Sequence, residues 1–145
     1  MLLIRAAQIE DSAAIAALSG ALGYPADRQV VSRRLGYVLE DSGHLVLVAE
    51  DAGQNCVGWI HLFVAFRVES DPFVEIGGLV VDPANRRLGI GSKLVQAGIN
   101  WAKEKGIGKV RVRTNSVREE AGLFYRQMGF SLSKNQDIYD IATRV

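Results

Sequence analysis

The stretch Leu79–Lys93 (Leu-Val-Val-Asp-Pro-Ala-Asn-Arg-Arg-Leu-Gly-Ile-Gly-Ser-Lys) restricts the fold more than any other part of the chain. Up to Val81 it is a continuous apolar run of strand character. After Asp82-Pro83 the period changes: Ile90, Leu94, Ala97, Gly98 and Trp101 share one helical face, while Lys93, Gln96, Asn100 and Lys103 share the opposite one. A buried strand thus passes through a tight Arg- and Gly-rich connection straight into a long helix. Such a helix start leaves backbone N–H groups without intrahelical partners and gathers partial positive charge, which suits an anion. Gly89 and Gly91 keep side chains away from those amides, Ser92 adds a hydroxyl, and Arg86 and Arg87 add full charges, so a pyrophosphate is the natural guest; glycines that simply end a loop beside a solvated arginine pair are the competing reading. The G-x-x-x-x-G-K-[ST] loop is absent, and Gly89-Ile90-Gly91 lacks the third glycine of G-x-G-x-x-G.

The rest of the chain arranges itself around this unit. Leu2–Arg5 reads as a strand, with Asp11 placed to cap a helix carrying Ile15, Leu18 and Leu22 before Gly23 and Pro25. A second helix places Val31, Leu35, Val38 and Leu39 on one face, Arg33 and Arg34 turned away, and closes near Asp41-Ser42-Gly43. Leu45–Ala49, Val57–Phe66 and Phe73–Val81 read as consecutive antiparallel strands. Gly106 ends the long helix, Val110 and Val112 alternate with arginines in a strand, and Ser116 with Glu119 forms a capping box for a helix carrying Ala121, Phe124, Tyr125 and Met128. Phe130–Val145 reads as two weaker strands, a hairpin around Lys134-Asn135-Gln136. The expectation is one α/β domain over 1–145, β-α-α-β-β-β-α-β-α-β-β, with helices on both faces of the sheet.

Composition excludes several classes. With 17 Lys+Arg against 16 Asp+Glu in 145 residues, the net charge of +1 lacks the electrostatic footprint of a nucleic-acid binder. No apolar run approaches the ~20 residues of a membrane span, and the first residues lack the ordered regions of a signal peptide, so a membrane or secreted location is not expected. The single cysteine, Cys56, sits in an apolar run, which argues against a disulfide or thiolate metal cluster and for a reducing cytoplasm. No metal is expected.

Arg86-Arg87-Leu88-Gly89-Ile90-Gly91 resembles the acyl-CoA motif [RQ]-x-x-G-x-[GA] of the GNAT superfamily of N-acyltransferases. Asn115, and the run Phe124-Tyr125-Arg126-Gln127-Met128-Gly129-Phe130, are similar to that family's second cofactor region, so the resemblance extends over nearly the whole chain. It implies a GNAT-like, mostly antiparallel sheet with a splayed central strand pair. The Gly77-Gly78 pair suits the bulge at the splay, although glycines also simply weaken strands. By the same resemblance Leu79, Val80 and Val81 pair with the pantetheine arm of acetyl-CoA. Arg86 and the amides of Arg87, Leu88, Gly89, Ile90, Gly91 and Ser92 hold its pyrophosphate, and Asn115 reaches its ribose or pantetheine.

Acyl transfer needs a neutral amine, and an alkylammonium has a pKa of about 10.4, so a base is required. Glu75 is the first candidate: it interrupts an apolar strand beside the proposed slot, eleven residues before Arg86, a spacing that resembles the catalytic glutamate of lysine-acetylating family members. His61 is second, with a hydrogen-bonded core or rim histidine the favoured reading of it; His44 carries no special weight. The family places a tyrosine acid at the position of Tyr125, which would protonate the departing thiolate; packing also explains that residue. The expected function is acetyl transfer by direct attack on a small-molecule or protein amine, with a non-catalytic acyl-CoA-binding module as the alternative. The weak C-terminal strands, with Trp59, Phe63 and Phe66, leave a homodimer open.

Overall fold

The computed structural model describes residues 1–23, 25–85, 88–115 and 119–144, in two compact units, Met1–Arg113 and Thr114–Val145. The first unit holds one five-stranded sheet whose spatial order follows the chain: β1 (Leu3–Ala6), β2 (His44–Glu50), β3 (Cys56–Ala65), β4 (Phe73–Val81) and β5 (Val110–Val112). Neighbours pair antiparallel except β4 and β5, which are parallel. A parallel pair requires a crossover, supplied here by α3 (Ile90–Glu104).

Helices cover both faces of this sheet because alternate residues of the central strands are apolar on both sides. On β3, Trp59 faces α1 (Ser12–Ala21), its indole Nε1 donating to Ser19 Oγ at 3.1 Å. The core on that side is Ala7, Ile15, Leu35, Val46 and Val48, with Val31 and Val38 of α2 (Arg28–Glu40) packed on it. Gly58 and Leu62 face α3: a methyl on Gly58 would stand 3.2 Å from both Ile90 and Leu94, and one on Gly98 would run into Leu62. The two glycines thereby let α3 lie close against β3.

Several local expectations shift. Leu39 is solvent-exposed rather than part of the α2 core face. On α3 the fully buried positions are Leu94, Val95 and Ala102, so the packed stripe is rotated toward Val95 and away from Trp101. Asp11 is the N-cap residue of α1, but its side chain bonds no amide of that helix. Its carboxylate instead accepts from Gln8 N–H at 2.7 Å and from both terminal nitrogens of Arg5, closing the 3-10 turn Ile9–Asp11. Trp59 belongs to the core, while Phe66 is exposed.

The second unit holds α4 (Glu119–Gln127), ended by Gly129 at φ +99° with Phe130 N–H bonded to Tyr125 C=O at 3.0 Å. The capping-box residue Ser116 lies outside the described residues. Residues 130–144 form no strand, contrary to the expected hairpin. Leu132, Ile138, Tyr139 and Ile141 are exposed there, so no half-buried face rewards the alternation with pairing. No described helix is long and apolar enough to cross a membrane.

Candidate active site

Opposite β3, β4 carries one residue too many. His61 pairs with Gly78 but Leu62 pairs with Ile76, which leaves Gly77 as the extra residue of a bulge. A methyl on Gly77 would meet His61 Nδ1 at 2.9 Å and Phe63 Cε1 at 3.2 Å, and one on Gly78 would meet the Trp59 ring at 3.0 Å. Both consecutive glycines therefore present the same face, as a bulge demands, and neither tolerates a side chain without displacing an aromatic ring. The glycine pair does sit at the bulge. The β4–β5 ladder ends at the same place: it runs from Val74↔Val110 to Ile76↔Val112, while β4 continues to Val81 paired with β3 alone. Leu79, Val80 and Val81 thus lie where the two strands have parted.

The strand leads through the 3-10 turn Pro83–Asn85 to the start of α3. Asp82 shapes this exit, accepting from Ala84 N–H at 3.0 Å and Asn85 Nδ2 at 3.3 Å. Gly89 is the N-cap, at φ +76°, and the first helical bond runs from Lys93 N–H to Gly89 C=O at 3.0 Å. The amides of Ile90, Gly91 and Ser92 precede that bond and have no partner inside the helix. A methyl on Gly89 would meet nothing within 4 Å among the described residues. Arg86 and Arg87 lie outside the described residues.

On the face shared by His61 and Phe63, β4 contributes Glu75, opposite Phe63. Its carboxylate is largely covered and Oε1 accepts from Arg113 Nε at 3.2 Å. Arg113, just beyond β5, was expected only as part of a wetted strand face. β2 contributes His44, whose Nδ1 lies 2.9 Å from His61 Nε2 with the ring planes 15° apart. Burial, and then the neighbouring His44, push the His61 imidazole down to about 4, so it is neutral across the physiological range. His44, which carries no special weight in the sequence, thus stands beside His61; the cross-strand register is the signal that places it there.

In the second unit Tyr125 is buried, edge-on to Phe124 and Phe130, and burial pushes its phenol up to about 12. Asn115 is exposed. Cys56 is half-buried, its thiol raised chiefly by burial, which fits a packing role and not a nucleophile.

The model of the acetyltransferase (GNAT) family matches residues 13–130. No curated protein matches the sequence. Among solved structures, the aminoglycoside antibiotic 6'-N-acetyltransferase AAC(6')-Ih from Acinetobacter baumannii is 18% identical, with 99% of each chain covered and a TM-score of 0.87. AAC(6')-Iy in complex with the bisubstrate analog CoA-S-monomethyl-acetylneamine is 16% identical, with 99% of each chain covered and a TM-score of 0.87. Glucosamine-6-phosphate N-acetyltransferase from Arabidopsis thaliana is 20% identical, covering 98% of this chain and 99% of that one, with a TM-score of 0.84. These likenesses reproduce the fold. With a family model matched over most of the chain, through the bulged strand and the open helix start, the protein belongs to the GNAT family of acetyltransferases.

Proposed function

We propose that residues 1–145 work as one N-acetyltransferase domain, in the reducing cytoplasm, moving an acetyl group from acetyl-CoA to a primary amine by direct attack. The observation that carries this reading is continuity: β4 leaves β5 at the glycine bulge and runs, with one edge beyond the ladder, into a helix start whose first amides have no partner inside the helix. The family model spans parts of both units, which supports their working together. Among the similar structures, one holds a CoA-derived bisubstrate analog, and others are named for aminoglycoside and glucosamine-6-phosphate acetylation, which supports a small-molecule amine as acceptor.

Acetyl-CoA supplies the activated acyl group. The chain's residues do the rest. The amides of Arg87–Ser92, with the Arg86 and Arg87 side chains, hold the diphosphate. The backbone of Leu79, Val80 and Val81 pairs with the pantetheine arm, and an N–H near Leu79 meets the developing oxyanion. Asn115 contacts the cofactor beyond the loop. Glu75 takes a proton from the acceptor nitrogen, and Arg113 holds its carboxylate in place. Tyr125 serves the departing sulfur. With its phenol at about 12 it stays protonated throughout the neutral range, and outright transfer to a thiolate of pKa near ~8.5 is uphill, so its contribution is a hydrogen bond to the developing charge.

A thiol-release assay with acetyl-CoA and a panel of amines tests the reading. Turnover with at least one amine is expected. Glu75→Gln and Tyr125→Phe should bind CoA normally by calorimetry yet slow kcat by about 100-fold, within the range for positioned acid–base groups. Calorimetric binding of acetyl-CoA with no thiol release for any amine would favour the binding module, and no binding of any CoA thioester would remove the reading altogether.

A further inference from the structure

Proton bookkeeping leaves one proton without a route. A cationic amine that becomes an amide loses two protons from nitrogen as the carbon–nitrogen bond forms and the carbon–sulfur bond breaks. One is balanced by the proton the sulfur gains, and the other must reach water in every turnover. Glu75 accounts for one acceptor. The same face of the sheet carries a second.

His61 sits over the bulge, where a methyl on Gly77 would stand 2.9 Å from its Nδ1, so that nitrogen borders the place where β4 parts from β5. Its other nitrogen, Nε2, is 2.9 Å from His44 Nδ1. His44 Nε2 lies 4.0 Å from Asp41 Oδ2. Exposure rises along this line: the His44 side chain is 30% accessible and that of Asp41 61%. Asp41 lines an open depression of about 860 Å³ that also involves Gly43, Val64 and Lys105. The line thus runs from the bulge, through two imidazoles in hydrogen-bond contact, to solvent.

We propose that His61 and His44 form a proton relay that removes the first proton of the cationic acceptor and delivers it to water beside Asp41. The inference rests on the acyl-transfer reading. His61 accepts the proton at Nδ1 while its Nε2–H passes to His44 Nδ1; His44 gives up its Nε2–H at the exposed end. Each ring gains one proton and loses one, and the tautomers are restored when protons exchange back from solvent. Imidazoles suit this because each presents one donor and one acceptor on opposite edges. Among the described residues, the groups that bear on His61 are few. β2 supplies His44, with Asp41 beyond it, and Glu75 with Arg113 lies on the β4 side. α1 has no charged side chain, and Arg33 and Arg34 of α2 are exposed.

The test combines kinetics with nitrogen-15 NMR of the histidine rings in the ligand-free protein. His61 should be neutral at pH 7 with its proton on Nε2, and His44→Gln should move its titration upward, toward the ordinary value of about 6.5. His44→Ala and His44→Gln should keep CoA binding and lower kcat about tenfold or more, with the loss greatest at low pH, where the acceptor is most fully protonated. Added imidazole should restore His44→Ala and not His44→Gln. His61→Gln should lose about 100-fold or more. Wild-type kcat and pH profile in both His44 variants, or a His61 proton on Nδ1 at pH 7, would overturn the relay while leaving acetyl transfer intact. Absence of thiol release by the wild type with every amine would overturn acetyl transfer and the relay together.

Discussion

At Gly89 the φ of +76° lies in the left-handed region, where a Cβ costs roughly 1–2 kcal/mol. Because no described atom lies within 4 Å of that Cβ, a substitution here separates backbone strain from crowding among the described residues. Gly89→Val is expected to lower stability by about that amount in urea melts, and to weaken CoA binding by about tenfold or more in calorimetry, since it adds a branched side chain at the helix start proposed to hold the diphosphate. Stability unchanged and binding unchanged together would remove this residue from the cradle. His61 gives a second residue-scale prediction. Its folded pKa of about 4 lies below the unfolded value of about 6.5, so between these limits the unfolded chain binds more protons. The stability tied to neutral His61 is full above about 6.5, falls as pH drops through that window, and changes no further below 4. Urea midpoints measured from pH 7 to 4 should show this slope in the wild type and a shallower one in His61→Gln.

Elements in this sheet are joined by contacts that leave little slack. α3 approaches β3 through Gly98, and the atoms a methyl would strike belong to Leu62, which is itself fully buried. Gly98→Ala is therefore expected to destabilise by about 1–3 kcal/mol despite the better helix propensity of alanine. Leu62→Val should offset part of this, so that the double variant loses less than the sum of the singles in denaturant titration. Arg5 ties three elements together: Nε donates to Glu50 Oε2 at 2.7 Å, and the terminal nitrogens grip Asp11 at 2.8 and 2.9 Å. The Arg5 side chain is 33% accessible, which moderates its worth. Arg5→Leu should lower stability by roughly 1 kcal/mol, and the difference should shrink as pH falls below about 3.8, because Asp11, held below the ordinary carboxylate range chiefly by Arg5, takes up its proton more readily in the unfolded chain.

Over the whole molecule, binding and stability are linked. If acetyl-CoA binds the folded chain alone, a concentration 100 times Kd adds about 2.7 kcal/mol, and for a chain of this size that is a rise in Tm of roughly 5–10 °C. A thermal melt with and without acetyl-CoA should show it, and Gly89→Val should show little of it. Much of the plan was legible before any coordinates. The bounds of Phe73–Val81 match β4, the glycine pair marks its bulge, and the change of period after Asp82 marks the crossover to α3. The C-terminal hairpin that the sequence suggests is not formed, because alternation without a buried face carries no driving force for pairing.

The covalent sequence by itself determined the local alphabet of this protein: which runs are apolar with period two or 3.6, where glycine permits a left-handed turn, and which helix start is left bare for an anion. Those are properties of neighbouring residues. Tertiary structure decided what stands beside what. His44 reaches His61 only because β2 and β3 pair in one register, and that register shifts between Ala49 and Glu50, so counting back from the turn does not give it. Glu75 meets Arg113 only because β5 lies parallel to β4 after a helical crossover. A one-residue slip would turn these side chains to the opposite face, so their juxtaposition is a product of strand pairing and not of sequence proximity.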